Sequence, residues 1–203
     1  KKIFQKDKLD NKIVFNIYPS LEAQVAAISD DIAYNNHDLE DGLRAGLFSI
    51  KKISSIPHIS KLIKKHAKNI KNFRREIIIS QIVRDLINLM VVDVINTTNK
   101  NLKLRNPQTV NDIYKQDCLM VDFSDKMKKI DKQIKEFLKY NMYNHKKVIV
   151  NTNKGKKIIR DLFKYLLKNP KKFINLELLK NENKERAIAD YIAGMTDRYA
   201  INL

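Results

Sequence analysis

Asp30 and Asp31 stand side by side within residues 20–41, SLEAQVAAISDDIAYNNHDLED, and Tyr34 follows Asp30 after four residues and Asp38 after eight. Leu21, Val25, Ile28 and Ile32 recur at helical spacing and predict the buried stripe of an amphipathic helix. Asp30 falls on a neighbouring strip with Ala23, Ala27, Tyr34 and, if the helix persists, His37. Small residues precede the carboxylate on that strip, and a phenol and an imidazole follow it. The pattern predicts a helix that carries Asp30 past alanines into a partly enclosed space. A carboxylate in such a place must be paired, hydrogen-bonded or bound to a metal. The simpler reading is that Asp31 faces water and Asp30 pairs with one of many lysines. Spacing alone leaves both open.

The elements that must position these residues read as helix after helix. Ser20 after Pro19 is a predicted N-cap, and Glu22 suits the positive end of the helix dipole. Asp38 is a second candidate cap, opening a short helix over 39–47, in which case capping alone explains its identity. Residues 54–59, with Pro57, predict a loop, and a basic helix starts at Ser60 with His66 pointing to water. A long helix over 71–96 presents Phe73, Ile77, Val83, Ile87, Met90, Val91 and Val94 to the core, with Arg84 amid them needing an acid or a phosphate. A polar connection over 99–108 leads to Thr109 and Asp112, spaced as a capping box. Residues 116–121 look extended. Ser124 caps a helix with the stripe Met127, Ile130, Ile134, Phe137 and Met142, and a helix over 154–168 stops before Pro170. On the last helix Arg186, Asp190 and Asp197 are spaced to share a face around Gly194, as an ion pair or as ligand contacts.

Composition bounds the class. Four glycines, four prolines and no tryptophan among 203 residues favour long helices over a turn-rich β architecture. A single cysteine, Cys118, excludes a disulfide framework within the chain and suits a reducing compartment. No apolar run reaches the roughly 18–20 residues of a membrane span. The net charge of +17 invites a nucleic-acid reading, yet the lysines are spread along the chain without interleaved aromatics. The same surplus would attract a polyphosphate. No repeat or linker marks a boundary, so the expectation is an all-α, multi-helix bundle forming a single unit over residues 1–203. Its parts are a basic arm over 1–18, core helices over 20–98 and C-terminal helices over 109–203.

EAQVAAISDDIAYNNHDLEDGLRAG (22–46) resembles the second signature of the HD-domain deoxynucleoside triphosphate triphosphohydrolases, the dGTPase-like family. ADYIAGMTDRYA (189–200) is similar to that family's C-terminal signature, and RDLINLMVVDVI (84–95) and KKIIRDLF (156–163) resemble it in pattern. The resemblance runs from about Pro19 to Tyr199 and implies the C-terminal portion of an HD-domain-type bundle. It further implies metal-dependent hydrolysis of a dNTP, typically dGTP, to deoxynucleoside and triphosphate. The family holds its divalent ion (magnesium, manganese or similar) with His, then His-Asp, then a distant Asp. Asp30 matches that last ligand, Tyr34 a tyrosine against the deoxyribose, and Asp38 a carboxylate near the 3′-hydroxyl. His37 adjoins these substrate-binding candidates. His37-Asp38 is not the family's metal pair, because that pair lies far upstream of the position Asp30 matches.

The four histidines, His37, His58, His66 and His145, do not show the upstream spacing, and the family's catalytic histidine and glutamate have no counterpart. The expectation is therefore the C-terminal half of an enzyme roughly twice as long, with catalytic groups upstream and this chain alone inactive. The implied partners are a dNTP, further copies in a homo-oligomer, and a regulatory nucleic acid or nucleotide. No membrane is expected, and the implied compartment is the cytoplasm. Two other classes stay open: a basic helical nucleic-acid-binding module without chemistry, and a regulatory or oligomerisation module.

Overall fold

The computed structural model describes residues 17–70, 74–175 and 183–203, and every element among them is helical, as the all-α expectation requires. Phe73 and most of the expected basic arm lie outside the described residues. The chain divides into two compact units, Lys1–Met142 and Tyr143–Leu203, at a point where composition marks no boundary.

In the first unit, α1 (Leu21–Arg44) is followed by α2 (Ile50–Ile53), α3 (Pro57–Ile70), α4 (Arg75–Arg105), α5 (Val110–Tyr114) and α6 (Asp125–Leu138). Ser20 caps α1 by accepting from the Ala23 N–H at 3.4 Å. The helix then runs unbroken through residues 39–44, so Asp38 sits mid-helix and caps nothing. It ends where Gly46 takes a φ of +67°, a conformation that suits glycine. Four residues earlier Gly42 is buried under Phe48, and a Cβ there would meet the ring at 2.3 Å. Phe48 is itself buried and packs edge-on to Phe137 at 4.9 Å, which leaves the ring little room to yield. Gly42→Ala is expected to cost about 1–3 kcal/mol, measured by chemical denaturation.

Pro57 opens α3, where its missing N–H costs no hydrogen bond, so the expected loop over 54–59 is shorter than foreseen. The long helix α4 also outruns its expectation, carrying on to Arg105 through most of the expected polar connection. It stops at Asn106, which adopts the left-handed conformation (φ 44°, ψ 51°) and is followed by Pro107. Its buried line is Ile78, Ile79, Ile82, Val83, Leu86, Met90 and Val94, whereas Ile77 and Val91 of the expected set are exposed. Arg84 lies on the exposed side as well, so no buried guanidinium needs a partner there. Thr109 and Asp112 form the full capping box expected of them, and Ser124 caps α6 through the Met127 N–H. Residues 116–121 form no strand. The core of this unit joins α1, α3, α4 and α6 through Leu39, Leu43, Ile59, Leu86 and Ile134, with α1 packed chiefly on α4.

The second unit holds α7 (Lys146–Lys168), α8 (Pro170–Phe173), α9 (Lys184–Ala193) and α10 (Asp197–Asn202), entered from a π-helical turn at Lys139–Tyr143. Its smaller core is Leu162, Leu166, Ile174, Ala187 and Ile188. α7 begins eight residues earlier than expected, with His145 as its cap. Thr196 starts a new helix after Gly194, which separates Asp197 from Arg186 and Asp190 instead of aligning all three.

Candidate active site on helix α1

At 100° per residue, Asp30, Tyr34, His37 and Asp41 fall within about 60° of one another around α1. All four are exposed, Tyr34 by 65%, and Ala23, Ala26 and Ala27 continue the same open face toward the N-terminus. Asp38 stands about 40° beyond Tyr34 and is half-buried. One unbroken helix thus brings together the four residues singled out from sequence. Within this chain their face is an open surface rather than the partly enclosed space that was foreseen. The cause is packing: α4 and α6 cover the other sides of α1 and leave this one uncovered.

Of the expected stripe of α1, Ile32 is buried and Leu21 and Ile28 pack half-buried against the core, so only Val25 departs from it. Ile32, Leu39 and Leu43 are buried, together with Gln24, Asn35 and Asn36, while Val25 is 48% exposed. Val25 lies on the inward side, where it lines an apolar groove of about 350 Å³ together with Ile28 and Ile32 of α1 and Val91 and Ile95 of α4.

The three amides give α1 its register. Gln24 is 3% exposed; its Nε2 donates to the Pro19 carbonyl at 2.8 Å, and its Oε1 accepts from the N–H groups of Met120 and Val121 at 2.8 and 3.0 Å. Asn35 donates to Asp131 Oδ1 at 2.9 Å in the interface with α6. Lys135 bridges Asp131 (2.8 Å) and Asp31 (3.2 Å), so the second member of the acidic pair is a structural partner of α6. Burial works to lower the Lys135 pKa, but hydrogen bonds to Asp131 and Asp31 outweigh it and raise the value. Asn36 Nδ2 donates to the Ile32 carbonyl at 2.8 Å, beside Met90 of α4. The expected stripe of Leu21, Val25, Ile28 and Ile32 stops short of Asn35 and Asn36. Tracing the stripe through Ile32, Leu39 and Leu43 would have placed Asn35 and Asn36 on the inward side.

At the C-terminal end of α1, Glu40 accepts from Arg44 at 2.7 Å and from the Ser80 hydroxyl of α4 at 3.0 Å. The Arg44 hydrogen bond is the chief reason its carboxyl is held below the ordinary glutamate range. A depressed folded-state pKa stabilises the protein above the unfolded value and loses that contribution as pH falls through the folded one. Glu40→Gln is accordingly expected to cost about 1 kcal/mol at neutral pH. Urea denaturation against pH should show the gap between variant and wild type closing below about pH 4.3.

Among the described residues no group of three or more His, Cys, Asp or Glu side chains converges to hold a metal ion. Asp30 offers one hard carboxylate oxygen, which suits a divalent ion as a single ligand but does not build a site. The histidines do not add to it. His66 is 13% exposed at its side chain and lies 3.1 Å from Asp85, contrary to the expectation that it points to water. Asp85 is held below its ordinary range first by a hydrogen bond from Lys65 at 2.8 Å. On α9 Arg186 pairs with Asp190 at 2.9 Å, the internal ion pair that is one of the two readings of these residues.

Residues 121–203 match the family described as the phosphohydrolase-associated domain. Over 193 residues the chain is 52% identical to a deoxyguanosinetriphosphate triphosphohydrolase-like protein of Pelagibacter ubique, covering 95% of this chain and 52% of that protein. A protein of the same description from Brucella anthropi is 39% identical over 189 residues, covering 91% and 47%. Another, from Agrobacterium fabrum, is 37% identical over 190 residues with the same coverage. The chain spans about half the length of the curated relatives it matches. Among the described residues no helix is long and apolar enough to cross a membrane.

Proposed function

Because this chain belongs to the deoxyguanosinetriphosphate triphosphohydrolase-like family, we propose that it supplies one wall of the active site of a cytoplasmic dNTP triphosphohydrolase. The reaction adds water to the α-phosphorus of a dNTP, typically dGTP, and breaks the bond to O5′. The proton passes to O5′, and deoxynucleoside and inorganic triphosphate leave. The observation that carries this reading is the open face of α1, on which Asp30, Tyr34 and His37 stand with Asp38 beside them.

The rise of the helix sets the division of labour. Asp30 and Tyr34 are about 6 Å apart along the axis, and Asp30 and Asp38 about 12 Å. A nucleotide lying along the face would meet a carboxylate at its α-phosphate, a ring against its sugar, and a second carboxylate at its 3′-hydroxyl. Asp30 would supply one oxygen to a divalent ion held jointly with other ligands. Such an ion supplies Lewis-acid polarisation of a phosphoryl oxygen. Tyr34 closes the space at C2′, so that a ribose hydroxyl clashes or goes unpaired. Asp38 accepts from the 3′-hydroxyl, and His37 lines the same approach. Holding the sugar fixes the α-phosphorus, and a misplacement of about 1 Å can cost about 10²-fold.

Replacing Tyr34 by Ala in the full-length protein should lower the ratio of kcat/KM for dGTP over GTP by about tenfold or more. Steady-state assays of triphosphate release across a dNTP and NTP panel, with several divalent ions, measure it. A ratio unmoved by the substitution would take Tyr34 off the sugar. No hydrolysis of any dNTP with any ion would remove the enzyme reading altogether.

A further inference from the structure

We propose that the apolar groove lined by α1 and α4 is the seat of an aliphatic segment of the full-length protein that lies outside residues 1–203. The groove, of about 350 Å³, takes Val25, Ile28 and Ile32 from α1 and Val91 and Ile95 from α4. It belongs to the first unit and is separate from the Asp30 face, since Val25 stands about 140° from Asp30 around α1. The seat is independent of the chemistry proposed for that face.

Helix α4 is apolar on two sides. Its inward line, from Ile78 to Val94, fills the core of the first unit. A second strip runs along the outside, where Ile77, Val91 and Ile95 fall within about 40° of one another with Arg84 among them. Helical spacing assigns Ile77 and Val91 to the core, yet both are exposed here. A helix that is apolar all round is normally covered all round. The cover lacking from this chain is needed most at the groove, where Val25, Val91 and Ile95 are exposed by 48, 39 and 53%. Single exposed aliphatics are ordinary on a protein surface, but these three line one concavity.

Among the described residues no charged side chain lines the groove, although 31% of the sequence is charged. A phosphate, a nucleic acid or an anionic headgroup thus meets no counter-charge, and the occupant that fits is aliphatic. The length of the relatives indicates where it comes from. The match covers 52% of the Pelagibacter ubique protein and 47% of the Brucella anthropi protein, so about as much of each lies outside it. The groove takes only a few side chains, far short of the about 800 Å² per partner that specific interfaces bury. A separate protein or a second copy is not held by so little. A segment of the same polypeptide needs no such area, because its tether keeps it at an effective concentration of about millimolar.

The test places the photoreactive residue benzoylphenylalanine at Val25 and, separately, at Ile95 of the full-length protein, with irradiation followed by peptide mapping. Crosslinks to residues outside 1–203, at the mass of a single polypeptide, are expected from both positions. Crosslinks at twice that mass would assign the groove to a second copy and overturn the proposal. Crosslinks confined to residues 1–203, or none, would overturn it as well. In parallel, Ile95→Asp should lower the thermal midpoint of the full-length protein by about 5 °C or more, because a charge under the segment is buried without a partner. Ile95 is half exposed in this chain, so an open groove would tolerate the change. A midpoint moved by less than about 2 °C would therefore also overturn the proposal. If Ile95→Asp yields no folded protein, the crosslinking decides by itself.

Discussion

Asp30→Ala in the full-length enzyme is expected to lower kcat/KM for dGTP by about 10³-fold or more while leaving helicity unchanged. Loss of one ligand from a divalent ion removes several kcal/mol of charge stabilisation, and each 1.36 kcal/mol is a factor of ten. Stability should not suffer. Asp30 is exposed in the middle of α1, and alanine is the strongest helix former. Asp30→Asn keeps the shape and removes the charge, so it should fail nearly as badly if the carboxylate binds a cation. Steady-state kinetics beside circular dichroism separate the possibilities. Turnover near that of the wild type in both variants would remove Asp30 from the reaction.

Gln24→Ala should produce the largest loss of stability among the α1 substitutions, about 3 kcal/mol. One side chain satisfies the Pro19 carbonyl and two backbone N–H groups, those of Met120 and Val121, in a buried setting. Truncation leaves those two donors without a partner, and each costs about 1–3 kcal/mol. The midpoint of thermal unfolding should fall by about 5 °C or more. Because Gln24 ties the segment before α6 to the start of α1, the same substitution should also loosen the register of Asp30 two turns later. A fall in kcat/KM for dGTP without a matching change in metal identity would follow from that. An unshifted midpoint would mean that water replaces the amide and that the three hydrogen bonds are not what seats this segment.

Much of the fold was legible because local rules govern it. Ser20, Thr109 and Ser124 cap the helices they were expected to cap, since an N-cap needs only a side-chain oxygen and three following residues. The misjudged boundaries share one cause. Asp38 and the polar run after Asn99 look like helix punctuation, yet packing of α1 and α4 against each other carries both helices past it. Tertiary contact outweighs a propensity of less than about 1 kcal/mol per residue. Asn35 and Gln24 were not legible, because their partners Asp131 and Met120 are 96 residues away in the chain. The grouping of Asp30, Tyr34 and His37 was legible from helical spacing, whereas spacing offered Asp38 as a helix cap and only the family resemblance joined it to them. The exposure of that face was not legible, because it depends on which sides of α1 the other helices occupy.

The most direct measurement is the anomalous difference density of the full-length protein crystallised with manganese. A peak at about 2.1 Å from an Asp30 carboxylate oxygen is predicted, with Tyr34 on the same side one turn along. A manganese peak ligated entirely by other residues, with the Asp30 carboxylate in solvent, would contradict the account.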